Sequence, residues 1–184
     1  MATAANLGAH EVMEIHEILS ETITFINTAQ LYNEHCQDPE LKNLVNKQLD
    51  FMTNEYNNMV NAINQRGIQE AVPYRANTNF SPTYGLRNPS TQSPNVSTRQ
   101  VDDHDVASAM LCIHKASACK RLAGALECSE PQLRRMLIQG AINCSDQAYD
   151  VWQYMNSKGF YQVPTMQQNT TDTMINTYQP MGFS

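Results

Sequence analysis

The chain has 184 residues, is 41% hydrophobic and carries a net charge of -6, from 12 Lys and Arg against 18 Asp and Glu. That is enough chain to bury one core and too little for two, so a single domain is expected. An acidic balance without a Lys/Arg cluster argues against a nucleic-acid partner, and no apolar run reaches the about 18 residues of a bilayer span, which argues against a membrane one.

The N-terminus lacks the basic-then-apolar order of a secretory signal, so synthesis in a cytosol without a signal peptide is expected. Amides are abundant: 18 Asn and 15 Gln outnumber the 30 charged residues, which leaves a polar surface with little charge repulsion against self-association. Ordinary polar surface would look the same.

In chain order, residues 7–34 place Val12, Ile15, Leu19, Thr22, Ile26 and Ala29 on one helical face. A second helix over 38–66 starts with Asp38 as N-cap and Pro39 in the first turn, carries Leu41, Val45, Met52 and Met59 inward, and stops at Arg66-Gly67. The short link between them makes an antiparallel hairpin. Residues 68–101 hold Pro73, Pro82, Pro89 and Pro94 among Ser, Thr and Asn, and read as a long crossover.

A third helix over 102–126 has Asp102 or Asp103 at its start and Ala107, Leu111, His114, Ala118 and Leu122 on its inward face. A fourth over 130–158 follows the capping-box order Ser129-Glu-Pro-Gln and runs through Leu133, Leu137, Cys144 and Val151 to Gly159. Residues 160–184 form an extended low-charge tail of Gln, Asn, Thr, Tyr and Met, with Tyr161, Tyr178 and Phe183 as docking side chains; residues 1–159 are the bundle domain.

The second half echoes the first. Cys36-Gln-Asp-Pro-Glu-Leu-Lys42 returns 92 residues later as Cys128-Ser-Glu-Pro-Gln-Leu-Arg134, and the same offset pairs Val45 with Leu137 and Gly67 with Gly159. The expected fold is all-α: a ferritin-like four-helix bundle of two pseudo-repeated antiparallel αα-hairpins joined by the crossover. Convergence of two amphipathic helices with a Pro start and a Gly stop is the alternative.

Chemistry is sparse. Di-metal enzymes of this architecture place Glu on two helices and Glu-x-x-His on the other two. Here Glu55-x-x-Asn58 and its echo Gln147-x-x-Asp150 lack the histidines, and only Glu21, Glu55, His114 and Asp150 remain as a degenerate metal set. A lone inward histidine is more often a hydrogen-bonded core residue. The acidic run Glu11, Glu14, Glu17 and Glu21 reads as a solvated face, and no nucleophile elbow or phosphate loop is present, so no catalytic residue and no cofactor are expected. Of five cysteines, Cys112, Cys119 and Cys144 read as buried helical thiols, while Cys36 and Cys128 at the hairpin turns read as exposed candidates for intermolecular crosslinks.

The segments Gly8-Ala-His-Glu11, Gln48-Leu-Asp-Phe51 and Asn54-Glu-Tyr-Asn-Asn58, with the doubled hairpin and amide-rich tail, resemble the spore coat protein F family of endospore-forming bacteria. The resemblance implies a ferritin-like bundle with no established enzymatic role, made in the mother cell and deposited on the spore. Its implied partners are copies of itself and other coat proteins, and its motifs are sharpest in the first two helices.

Overall fold

The structure, a computed structural model, describes residues 7–64 and 71–182. Four long helices, α1 (Ala9–Asn33), α2 (Pro39–Ile63), α3 (Asp103–Leu126) and α4 (Pro131–Ser157), are followed by a short α5 (Gln168–Ile175), so part of the expected extended tail is helical. Arg66-Gly67, expected to stop α2, and Phe183 lie outside the described residues.

The helix starts follow local chemistry. Asp38 accepts the Glu40 amide at 2.8 Å with Pro39 opening α2, and Glu130 accepts the Leu133 amide with Pro131 opening α4. The cap of α4 is therefore Glu130 and not Ser129, whose amide, like that of Glu130, is bound by a carboxylate from α1. Asp102 accepts the amides of His104 and Asp105 and so starts α3. Gly159, at φ +77, takes the left-handed turn that ends α4.

The carboxylate on Ser129 belongs to Glu11, which accepts the amides of Ser129 at 2.7 Å and Glu130 at 2.6 Å. Asp103 does the same at the other turn, accepting the amides of Gln37 at 2.8 Å and Asp38 at 3.1 Å. The offset of 92 carries Glu11 onto Asp103, Gln37 onto Ser129 and Asp38 onto Glu130. Each hairpin's first helix thus caps the turn of the other hairpin, and the repeat extends into α1 and α3. Glu11, expected on a solvated face, is 1% exposed for this reason, while Val12, expected inward, is 52% exposed.

These two contacts also fix direction. The start of α1 meets the end of α3 and the start of α3 meets the end of α1, so the helices run up, down, down, up and the crossover must travel the length of the bundle. It does so along α4. Asn143 accepts the Tyr74 amide and donates to the Val72 carbonyl, Asp150 accepts the Asn77 amide, and Asn156 accepts the Thr83 amide. Further on, the Gly85 amide donates to the Val163 carbonyl at 2.8 Å. Tyr74 seals this strap, 5% exposed, with its ring edge-on to Phe51 at 5.0 Å and the Lys47 ammonium 4.3 Å from its centroid.

Helices approach closely where side chains are missing. A Cβ on Gly124 would stand 2.9 Å from Ile18 Cδ1 of α1, and one on Gly140 would stand 2.6 Å from Arg121 Nη1 of α3. The apolar core falls into two clusters. One gathers Leu41, Val45, Met52, Met110, Val151 and Met155; the other gathers Ile15, Ile18, Met59, Leu133 and Leu137. On α3 and α4 the two are separated by buried polar residues, His114, Ser117 and Arg121 on the former and Asn143 and Gln147 on the latter. On α3 the expected Ala107, Leu111 and His114 are buried, but towards the helix end Leu122 is 50% exposed and Arg121 is buried in its stead, since packing against α1, α2 and α4 leaves no single stripe.

Candidate functional site

The polar layer at mid-bundle is the place in this fold where chemistry could be held. From α2, Gln48 donates to the Gln147 carbonyl at 3.0 Å and presents its oxygen to His114 Nε2 at 2.9 Å. From α3, the Arg121 guanidinium lies 3.3 Å from Glu55 Oε2, both side chains nearly closed off from solvent. From α4, Asn143 donates to Glu55 Oε1 at 2.7 Å. The layer continues outward to the strap, where Tyr74 donates its hydroxyl to Asp150 Oδ2 at 2.8 Å and Lys47 pairs with the same oxygen at 3.2 Å.

Burial dominates the electrostatics. It raises the Glu55 carboxyl, against the pull of Arg121 and the Asn143 hydrogen bond, and it raises Glu21, opposed by Lys120 and Arg121. Burial, aided by the Arg121 charge, lowers His114 to about 3, so this imidazole is neutral at physiological pH. Burial likewise pushes the Cys144 thiol up to about 12. The layer holds a neutral histidine, a protonated thiol and a neutralised carboxylate, an arrangement suited to stabilising a fold and poorly suited to proton transfer.

Of the four residues expected as a degenerate metal set, Glu55 is taken by Arg121, Asp150 by Tyr74, Lys47 and Asn77, and His114 by Gln48. Glu21 is half-buried on α1. Among the described residues they form no ligand cluster; the one group of three within ligand reach is Asp102, His104 and Asp105 at the start of α3. There Asp102 and Asp105 are engaged in the capping box. Arg121 and Asn143 were not singled out from the sequence, and Gln48 entered only as part of a motif that carries the family resemblance. The available signal was the pairing of Arg121 with a glycine, Gly140, in the facing helix.

Cys144 is buried as expected, and the other four cysteines depart from their expected exposure. Cys112 and Cys119 face solvent, whereas Cys36 and Cys128 are half-buried at the turns. Burial, reinforced by the nearby carboxylates that include Asp103 and Glu11 respectively, pushes both turn thiols up to about 11, which suppresses the thiolate needed for disulfide exchange. The reason is the cross-capping, which draws each turn and a carboxylate against the opposite hairpin.

The tail divides at residue 163. Phe160 packs on the core between His104 and Tyr154, and Tyr161 lies beside Trp152 and under the Lys115 ammonium, so Tyr161 is docked on its own bundle. Beyond, Met174, Ile175, Tyr178 and Met181 are 55–83% exposed. No described helix is long and apolar enough to cross a membrane.

Residues 102–164, spanning α3, α4 and the docked start of the tail, match the Coat F domain family. The chain is 28% identical over 175 residues to spore coat protein F-like protein YhcQ of Bacillus subtilis (strain 168), covering 94% of this chain and 81% of that one. Its fold is shared with a crystal structure from Bacillus halodurans C-125, provisionally assigned as a spore coat protein, at a TM-score of 0.66 over 88% of this chain and 96% of the other. At 16% identity that likeness concerns the fold. The resemblance read chiefly from the first hairpin therefore extends to the second, where the family match falls.

Proposed function

We propose that this chain, with a Coat F domain in its second hairpin, is a structural protein of the bacterial spore coat that packs against copies of itself and other coat proteins. The observation that carries the reading is the similarity to a spore coat protein F-like chain along both hairpins and the crossover. The bundle supports it by pairing Glu55 with Arg121 and His114 with Gln48 inside the core in place of a reactive site, and by presenting a low-charge apolar tail after residue 163.

In this reading Met174, Ile175, Tyr178 and Met181 lie on a neighbouring molecule, and Tyr161, which is packed in cis, serves to anchor the tail's root. Truncation after Val163 keeps Phe160 and the Gly85 contact and so leaves the bundle folded. Light scattering of the purified protein should then show smaller assemblies than the full chain, with an unchanged helical spectrum. Equal assembly size in the two would sink the tail's role. A tagged copy in sporulating cells should fractionate with the coat extract; recovery in the soluble vegetative fraction would sink the coat assignment.

A further inference from the structure

Ferritin-like bundles that carry two metal ions gather four glutamates and two histidines at mid-bundle, one or more from each helix. The charge set found here is different. The carboxylates of the layer already have cations beside them: Arg121 lies 3.3 Å from Glu55 and Lys47 lies 3.2 Å from Asp150, while Arg121 and Lys120, the latter paired with Glu14 at 3.4 Å, oppose the rise that burial gives the half-buried Glu21. Each buried carboxylate of the layer, Glu55 and Asp150, is thus matched by a cation of the chain and is not left free to hold a divalent ion. His114 is turned to Gln48 and bears the repulsion of Arg121. The residues present therefore do not fit a di-metal centre.

The guanidinium is also seated with care. It lies against the bare Cα of Gly140, where any side chain would meet Nη1 at 2.6 Å, and the echo of Gly140 in the first hairpin is Gln48. From Arg121 a line of contacts leads outward: to Glu55 Oε2, from Glu55 Oε1 to the Asn143 amide at 2.7 Å, and from Asn143 to the Val72 carbonyl at 3.0 Å and the Tyr74 amide at 2.9 Å. The crossover is thus tied to a buried charge pair.

We propose that Arg121 is a resident cation that takes the place of the metal in this architecture: it neutralises Glu55 at mid-bundle and, through Glu55 and Asn143, locks the crossover strap onto α4. A charge carried by the chain itself needs no metal uptake, undergoes no redox cycling and cannot be removed by a chelator. Such properties suit a protein that must keep its shape without metabolic support.

The test uses the full-length protein and limited trypsin digestion at Arg75, an exposed residue of the strap. Arg121→Gln leaves Glu55 buried without its partner, and cleavage after Arg75 should accelerate at least tenfold with a melting temperature lower by about 10 °C. Arg121→Lys, which keeps the charge, should recover part of the resistance. The double variant Glu55→Gln/Arg121→Gln removes both charges and should recover most of it, which a purely steric role for Arg121 does not allow. A double variant as labile as Arg121→Gln, or a single variant as resistant as the parent, overturns the lock. Independently, calorimetric titration of the unaltered protein with Mn(II) or Co(II) should show no saturable site that depends on Glu55; one or two ions bound per chain and lost in Glu55→Gln overturns the replacement.

Discussion

Six residues of α2 are buried and fourteen of α4, although both helices open with the same capped Pro turn and sit at equivalent places in the repeat. The excess lies where the strap runs: Asn143, Asp150, Gln153 and Asn156 all bond crossover backbone, and among the described residues their echoes Phe51, Asn58, Asn61 and Asn64 make no such bond. The ends of the hairpins behave in the opposite way. Glu11 and Asp103 make the same contact twice, and Asp38 and Glu130 each cap the helix that follows, through the amide two residues on in the first case and three in the second. A doubled hairpin can keep its ends, which join the halves, and diverge in the middle, where one half receives a cover that the other lacks.

The equivalence is tested most severely in the core. Leu41 and Leu133 are echoes, 0% and 1% exposed, and truncating either to Ala should cost about 2–5 kcal/mol by chemical denaturation. Similar losses support the equivalence; a loss below about 1 kcal/mol in one alone breaks it.

The crossed caps come next. Replacing Glu11 or Asp103 by Ala removes charge-assisted hydrogen bonds worth about 1.5–3 kcal/mol, with Glu11 the more costly since it is the more buried. Burial raises the Glu11 carboxyl, but the amides of Glu130, Gly8 and Ser129 outweigh it and hold it below its ordinary 4.5. Its contribution is therefore complete above pH 4.5 and lost as pH falls towards the lowered folded value, so Glu11→Gln should flatten acid unfolding in that window.

Between the ends, His114 is a titrating residue that its echo Thr22 is not. With its pKa held near 3 against 6.5, the unfolded chain takes up a proton that the fold refuses, and stability present above pH 6.5 is lost on the way down. Stability should fall by about 1.4 kcal/mol per pH unit in the lower part of that range, and His114→Gln should remove the slope. A parent protein equally stable at pH 7.5 and 4.5 contradicts this.

The smallest effect on stability is expected at Cys112 and Cys119, whose echoes are Ser20 and Asn27. Their Ser variants should lie within about 0.5 kcal/mol of the parent. The two stand about 10 Å apart along α3, too far to bridge each other, so oxidation would link separate chains. On non-reducing gels, crosslinks should vanish in Cys112→Ser/Cys119→Ser and persist in Cys36→Ser/Cys128→Ser. The reverse would restore the turn thiols as the reactive pair.

Much of the architecture was readable in the chain. Asp38-Pro39, Asp102 and Gly159 mark helix ends through their own side chains or φ, and four prolines in the crossover forbid a helix there. The mid-bundle layer was read less well. Glu55, His114 and Asp150 stood out as ionisable residues on helices, but periodicity carried the α3 face on to the exposed Leu122 and left out the buried Arg121 beside it, because α3 packs against three neighbours. Glu11 was assigned to solvent because its spacing fits an exposed acidic face; what draws it in is the need of the Ser129 and Glu130 amides for an acceptor, and that need arises from residues more than a hundred positions away.

The sequence by itself determined the four long helices, their pairing into hairpins and the doubling, because caps, breakers and apolar periods act within a few residues of chain. Tertiary structure alone decided which face of α3 turned inward, which cysteines met solvent, that Tyr161 docked in cis, and that Arg121 rather than a ligand faced Glu55. Those outcomes depend on which helix comes to lie against which, because the partners of Glu11, Glu55, Asn143 and Asp150 come from elements remote from them in the chain.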